Sequence, residues 1–311
     1  MFGTYRLILA SLVALSHFGL IVAGFNPGQW SVLSFYVLSG FLMEHQFRKL
    51  STTGNSRAFY ADRFLRVFPV YFAVLLLAAF FVRPTWPVFL INTALVPLNY
   101  SSFTGVPLLI GPAWSLACEV QFYLLVPLFV RASTPVVRLL TAGSMVVFVA
   151  SPFLPNPDFW AYAGLPGILF AFLSGILIKR KDVLFLRYVW FTFVVLLAGF
   201  AYSKFDHLGL PTGIHINVCI GYLAALPLVF WLSTYPPDAK WDQSLGLLSY
   251  PLFLVHQPLG AFLATHMAHA NMFLLLFIAI IAAGLLVFFL EKPFDRVRYK
   301  VRKRLTPRAT A

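Results

Sequence analysis

Residues 5–24 read YRLILASLVALSHFGLIVAG, an apolar run long enough to cross a bilayer but interrupted by one arginine and one histidine. Ionisable side chains are costly inside lipid and usually face a bundle interior or a wet cavity. Arg6 and His17 are eleven positions apart, so on a helix they share nearly the same face, about 16 Å apart along the axis. This pair predicts a site that holds an anion at the membrane edge and performs proton chemistry deeper in.

The composition is that of a polytopic membrane protein. Of the 311 residues, 60% are hydrophobic and only 11% are charged, whereas soluble domains average about 25% charged residues. No polar stretch is long enough to form a sizeable soluble domain. We therefore predict an all-α fold: one integral membrane domain over residues 1–311, built as a transmembrane helix bundle, with residues 291–311 as a basic cytoplasmic tail.

The apolar runs predict about ten spans, and the basic residues predict their orientation. Every second loop, together with the C-terminal segment, holds 20 of the 23 Lys and Arg residues, which places both termini in the cytoplasm. The net charge of +13 is then mostly a topological signal plus attraction to anionic membrane lipid, and no folded basic module suggests nucleic-acid binding. We expect a multi-pass protein of the inner (cytoplasmic) membrane. The predicted spans are 5–24, 31–45, 68–82, 113–130, 136–153, 164–178, 188–201, 216–232, 245–269 and 272–290.

Few titratable side chains lie well inside these spans. Counting from the predicted cytoplasmic ends, His17, Glu119 and His256 reach one level slightly past the midplane, which predicts a site. Arg63 and Arg66 are three positions apart and share a helical face near the predicted cytoplasmic surface. They act either as charge that anchors an interfacial helix or, with Arg6, as a phosphate clamp. We predict no metal site.

Six short motifs occur in an order that resembles the membrane-bound acyltransferase family 3, whose members transfer acyl groups to sugars and other small acceptors. The resemblance covers the whole chain and implies the ten-span core. Residues 117–120 depart from the family pattern, because Ala117-Cys118 replaces a Ser-Val pair and Val120 stands where a second glutamate often occurs. The motifs are Arg6-x10-His17, FYVLSGFL at 35–42, Arg63-x-x-Arg66 with Pro69, WSLACEVQFY at 114–123, SYPLFLVH at 249–256 and EKPF at 291–294.

The resemblance implies an acyl-CoA donor, expected to be acetyl-CoA, that enters from the cytoplasm. Its phosphates would meet Arg6, Arg63 and Arg66, and its thioester would reach His17. His17 would serve as the general base on an acceptor hydroxyl or as the nucleophile of an acyl-histidine intermediate. Glu119 would orient the imidazole or stabilise its charged form.

The acceptor side is less specific. Ser39, Trp114, Tyr250 and His256 are expected to line the acceptor channel, and the acceptor is a glycan, a lipid-linked sugar or another cell-envelope hydroxyl. The depth of His17 favours an acceptor on the outer side. The alternative is a proton-coupled transporter or a flippase for a lipid-linked glycan, because buried His and Glu also serve proton relays.

Overall fold

The computed structural model describes residues 1–51, 56–205, 212–236, 239–266 and 271–306. Apart from an isolated bridge between Val22 and Phe25, all regular structure in these residues is helical. Its α-helices are α1 (Phe2–His17), α2 (Pro27–Leu50), α3 (Arg57–Val82), α4 (Trp86–Ala94), α5 (Ser101–Thr104), α6 (Ala113–Arg131), α7 (Thr134–Ala150), α8 (Leu165–Lys179), α9 (Val183–Phe205), α10 (Gly213–Leu232), α11 (Lys240–His266), α12 (Met272–Leu286) and α13 (Lys292–Leu305). Short 3₁₀ or π-helical turns cover Val96–Tyr100, Ser151–Phe153, Phe159–Ala163 and Val287–Glu291.

Eight helical segments of the described chain are long and apolar enough to cross a membrane. The prediction of an all-α, polytopic membrane bundle is therefore confirmed. Helices α1 and α2 overlap the first two predicted spans but fall outside this set of eight, and α1 has only 16 residues where a span needs about 20. The total of ten spans and the cytoplasmic position of both termini stay predictions. Residue 269, the predicted end of the ninth span, lies outside the described residues, as do residues 307–311 of the tail.

The first helix is shorter than its apolar run. It ends at His17, whereas the predicted span continues to Gly24. Gly19, Ala23 and Gly24 have φ angles of +103°, +50° and +80°, a left-handed backbone that cannot continue a right-handed helix. Residues 18–25 thus form an apolar connection, and His17 lies at the end of α1 rather than in the middle of a helix.

Helix α2 lies at the centre of the bundle, packed against α1, α6, α8 and α10. It begins at Pro27, where the side chain of Asn26 accepts hydrogen bonds from the amides of Gly28 and Gln29. It crosses α8 at Gly40 and Gly175, where the backbones approach so closely that a Cβ on Gly40 would lie 1.8 Å from the Phe172 carbonyl oxygen. Small residues permit such close helix contacts within membranes.

One end of the bundle gathers the buried carboxylates, and we call it the charged end. Each buried carboxylate of the described chain pairs with a cation there, as a desolvated charge requires. The pairs connect the ends of α1, α2, α3, α7, α8, α9, α11 and α13, so the N-terminus and α13 lie at the same end. They are Glu44 with Arg48 and Arg180, Asp62 with Arg63, Arg298 and Arg302, Asp182 with Arg138, Asp242 with the N-terminal amino group, and Glu291 with Arg66.

Candidate active site

A cavity of about 130 Å³ opens between α1, α2, α3, α6 and α11, near the charged end; we call it the arginine cavity. It brings together six of the residues that the sequence singled out. Apolar side chains from α2, α6 and α11 form much of the remaining wall, so one part of the cavity is cationic and another is apolar. The six predicted residues are Arg6, Ser39, Arg63, Arg66, Glu119 and Tyr250, and the apolar ones include Val32, Phe35, Leu38, Leu42, Leu116 and Phe253.

Buried carboxylates hold two of the three arginines in place. Arg63 pairs with the neighbouring Asp62, and its guanidinium lies 5.9 Å from the centre of the Tyr123 ring. Arg66 pairs with Glu291, and both arginine side chains are about 15% exposed. A guanidinium carries five N–H donors, and a carboxylate occupies only some of them. The cavity can therefore offer further donors to an anion.

Arg6 reaches the same cavity from the first turns of α1. Its guanidinium packs against Gly246 of α11, where a Cβ would lie only 2.5 Å from the Arg6 Nη2 atom. Asp242, one turn earlier on α11, accepts hydrogen bonds of 2.8 Å from the amides of Gly3 and Thr4. This carboxylate satisfies N–H groups at the start of α1 and so ties the helix end that carries Arg6 to α11.

Glu119 lies in the arginine cavity and not beside His17. Its Oε1 atom accepts hydrogen bonds from the Ser39 hydroxyl at 2.7 Å and from the Tyr123 hydroxyl at 2.5 Å. The structure thus joins Glu119 to Ser39 and shows no hydrogen bond between Glu119 and His17 within the described chain. The depth estimate behind our expectation gave the level of Glu119 along its helix but not the neighbour that its side chain faces.

A second cavity, of about 300 Å³, contains His17 and Trp114, and we call it the histidine cavity. It shares Val32, Ser115 and Phe253 with the arginine cavity, so the two adjoin. The Trp114 ring lies 4.8 Å from that of Tyr162, centre to centre, on the wall of this cavity. Tyr250, in contrast, stays on the arginine side, where its hydroxyl donates to the Val67 carbonyl at 2.8 Å.

A third, more open cavity of about 450 Å³ lies at the opposite end of the bundle from the charged end, and we call it the vestibule. It shares Asn26 and Gln29 with the histidine cavity. The other polar side chains in its wall are Asp158 and Asn217, and none of its lining residues is Lys or Arg. Through these shared lining residues the three cavities follow one another in series, with arginines lining the first and the side-chain amides of Asn26, Gln29 and Asn217 lining the third.

The base candidate, His17, has a second imidazole as its partner. His17 Nδ1 lies 2.8 Å from His256 Nε2, and the two rings are stacked with their centres 5.0 Å apart. His256 is fully buried and lines none of the three cavities, so it lies behind His17 rather than in a channel wall as we expected. Its Nδ1 atom lies 3.0 Å from the Leu252 carbonyl oxygen.

The sequence analysis did not predict Tyr123, Asn26 or Gln29 as site residues. Tyr123 follows Glu119 by four residues, a spacing that puts both on one helix face and could have indicated their contact. Asn26 and Gln29 lie around the start of α2, where Asn-Pro is a helix-start signal, but nothing local indicates that their side chains border a cavity.

Comparison with known proteins identifies the family. Residues 4–290 match the acyltransferase domain that defines acyltransferase family 3. An uncharacterized protein of Aquifex aeolicus (strain VF5) is 25% identical over 210 residues, which cover 62% of this chain and 90% of that protein. The acyltransferase MdmB of Streptomyces mycarofaciens is 29% identical over 188 residues, which cover 50% of this chain and 48% of MdmB. No solved structure matches the chain. Because the domain match runs through α1 to α12, the chain belongs to acyltransferase family 3 and is a membrane acyltransferase.

Proposed function

We propose that this acyltransferase is an O-acetyltransferase of the inner membrane, which moves an acetyl group from cytoplasmic acetyl-CoA to a hydroxyl group of a glycan or another cell-envelope acceptor. The observation that carries the proposal is the junction of two cavities. One is lined by three arginines, and the other contains His17 in contact with a buried partner. An anionic donor and a hydroxyl acceptor thus have separate places that meet beside a base.

The arginine cavity suits the donor. Arg6, Arg63 and Arg66 offer guanidinium groups to the phosphates of acetyl-CoA, and guanidinium forks match phosphate oxygens. The apolar wall suits the pantetheine arm. The rise of α1 between Arg6 and His17 is about 16 Å, so a donor held at Arg6 extends along the helix toward the histidine cavity.

His17 supplies the proton chemistry. Its Nε2 atom removes the proton from the acceptor hydroxyl while that oxygen attacks the thioester carbonyl carbon. The carbon–sulfur bond then breaks, and the imidazolium returns the proton to the departing CoA thiolate, so an ester and free CoA are formed. A placed base contributes about 10²–10⁴ to the rate of such a step.

The vestibule and the histidine cavity suit the acceptor. The Oε1 atom of Gln29 is buried and has no hydrogen-bond partner among the described residues, although Gln29 lines both cavities. A buried amide oxygen without a partner can accept a hydrogen bond from an acceptor hydroxyl. The aromatic pair Trp114 and Tyr162 offers an apolar wall farther along. A hydroxylated acceptor therefore approaches His17 from the end opposite the donor.

The first test replaces the base. Purified His17→Ala protein in detergent, given acetyl-CoA and a cell-envelope extract as the source of acceptors, should release free CoA about 10²–10⁴ times more slowly than wild type. His45→Ala is the matched control, because His45 is exposed and lines none of the three cavities. Normal CoA release and acetylation by His17→Ala would show that His17 is not the base.

A second test addresses the donor site. Arg63→Ala should raise the dissociation constant for acetyl-CoA about tenfold, since a charge-assisted hydrogen bond to phosphate is lost. Asp62 keeps Arg298 and Arg302 as partners in this variant. Arg83→Ala is the control, because Arg83 is exposed at the other end of the same helix. Equal affinities for wild type and Arg63→Ala would exclude Arg63 from the donor site.

A further inference from the structure

The backbone carbonyl beside His256 determines which ring nitrogens of His17 and His256 carry a hydrogen. The Leu252 carbonyl oxygen only accepts, so His256 Nδ1, 3.0 Å away, must carry a hydrogen. The Nε2 atom of a neutral His256 then has a lone pair and no hydrogen. His17 Nδ1, 2.8 Å from that lone pair, must be the donor. A neutral His17 therefore keeps its other nitrogen, Nε2, as a base.

The surroundings hold His256 in this orientation. It lies within α11, which packs along α1, and it is fully buried. The rings of Phe18 and Phe253 meet it edge-on, with centres 6.0 and 6.4 Å away. Gly260, one turn after His256, makes room for Phe18, because a Cβ there would lie 2.5 Å from the Phe18 ring. The ring of His256 thus has little freedom to turn.

A histidine in this position avoids the cost of a buried carboxylate. The orienting partner of a catalytic histidine is commonly an anionic carboxylate. Burying such an anion costs free energy unless a cation pairs with it. His256 lies far from the charged end, and none of the arginines in the ion pairs of the described chain contacts it. A neutral imidazole whose Nδ1 hydrogen is held by a backbone carbonyl offers the same acceptor lone pair without a charge.

We propose that His256 is a positioning residue that holds His17 in the Nδ1–H tautomer and thereby keeps the Nε2 lone pair available to the acceptor hydroxyl. The proposal rests on the proposed function only in taking His17 as the base. The tautomer itself is a property of the protein without substrates, and it can be measured apart from activity.

Nitrogen-15 NMR of histidine-labelled protein in lipid tests the tautomer directly. Protonated and unprotonated ring nitrogens have well-separated shifts, and His17→Ala identifies the signals of His17 by their loss. We expect a protonated Nδ1 and an unprotonated Nε2 for His17 in wild type, and an Nε2–H population that grows in His256→Asn. An Nε2–H tautomer of His17 in wild type, or a His17 spectrum unaltered by His256→Asn, would overturn the proposal.

Three replacements of His256 separate orientation from packing. Gln places an amide oxygen as far along the side chain as His Nε2, so it can accept from His17. Asn can still donate to Leu252 from the position of Nδ1 but cannot reach His17, and Phe retains a ring without any acceptor. We expect kcat for CoA release to fall about 100-fold in the Asn and Phe variants and much less in the Gln variant.

The Michaelis constant for acetyl-CoA should stay at the wild-type value in all three variants, because the proposed phosphate contacts lie in the arginine cavity. Wild-type kcat in His256→Asn, or equal losses in all three variants with a raised KM, would mean that His256 only fills space. Should wild type show the expected tautomer while His17→Ala remains active, the proposed role of His17 as the base fails but the tautomer assignment stands.

Discussion

Replacing Gly40 by alanine should separate α2 from α8 and disturb the arginine cavity, although Gly40 itself lines none of the three cavities described above. The added Cβ would lie 1.8 Å from the Phe172 carbonyl oxygen, whereas ordinary contact begins near 3.4 Å. The two backbones must therefore move apart by about 1.6 Å, because no rotamer can relieve a clash with main-chain atoms. Overpacking of this kind costs about 1–3 kcal/mol.

The consequences extend to the site because α2 also carries Ser39, whose hydroxyl is 2.7 Å from Glu119. A displacement of about 1.6 Å alters that hydrogen bond and the shape of the arginine cavity. Thermal unfolding in detergent should show a Tm lower by about 5 °C, at roughly 2–4 °C per kcal/mol. The dissociation constant for acetyl-CoA, measured below that temperature, should rise.

Gly143→Ala is the matched control for the same substitution within a helix. A Cβ on Gly143 meets nothing within 4 Å, so this variant should be unchanged or more stable by about 0.5–1 kcal/mol, from helix propensity alone. The reasoning is refuted if Gly40→Ala unfolds at the wild-type temperature and binds acetyl-CoA with the wild-type affinity, since α2 and α8 would then have room that the structure denies them.

Three further substitutions have distinct expected results. Asp242→Asn should lower the free energy of unfolding by about 1–2 kcal/mol, because Asp242 caps the amides of Gly3 and Thr4. Hydrogen exchange at these two amides should become faster, and unaltered exchange would contradict the capping role. Glu291→Gln should destabilise the protein by about 3 kcal/mol in thermal unfolding, because Arg66 loses its buried counter-ion, and a wild-type Tm would show that this pair is solvated. Trp114→Ala should raise KM for the acceptor extract and leave acetyl-CoA affinity unchanged; the opposite pattern would place Trp114 on the donor side.

The three arginines illustrate what local patterns can predict. Arg63 and Arg66 share a helix face because of their spacing, and Arg6 was assigned to the same surface by the distribution of basic residues. The structure places all three in one cavity. The carboxylate partner of Arg66 was not predicted, because Glu291 lies 225 positions away and nothing in the sequence pairs the two residues.

The pair His17 and His256 shows what local patterns cannot predict. His17 and His256 were assigned to one depth from the helical rise, but that depth also included Glu119, and the rise does not tell which two of the three side chains face each other. Which way a side chain points depends on how its helix is rotated against its neighbours. That rotation is determined by close contacts such as Gly40 with Phe172 and Gly260 with Phe18.

By itself, then, the sequence determined the membrane bundle, the family and the chemical types at the site, because hydropathy, charge distribution and short motifs are local properties of the chain. The tertiary structure alone decided where α1 ends, that Glu119 joins Ser39 and Tyr123, and that His256 stands behind His17. Those outcomes depend on the packing of helices that are distant in the chain, and packing selects among partners that the local pattern leaves equivalent.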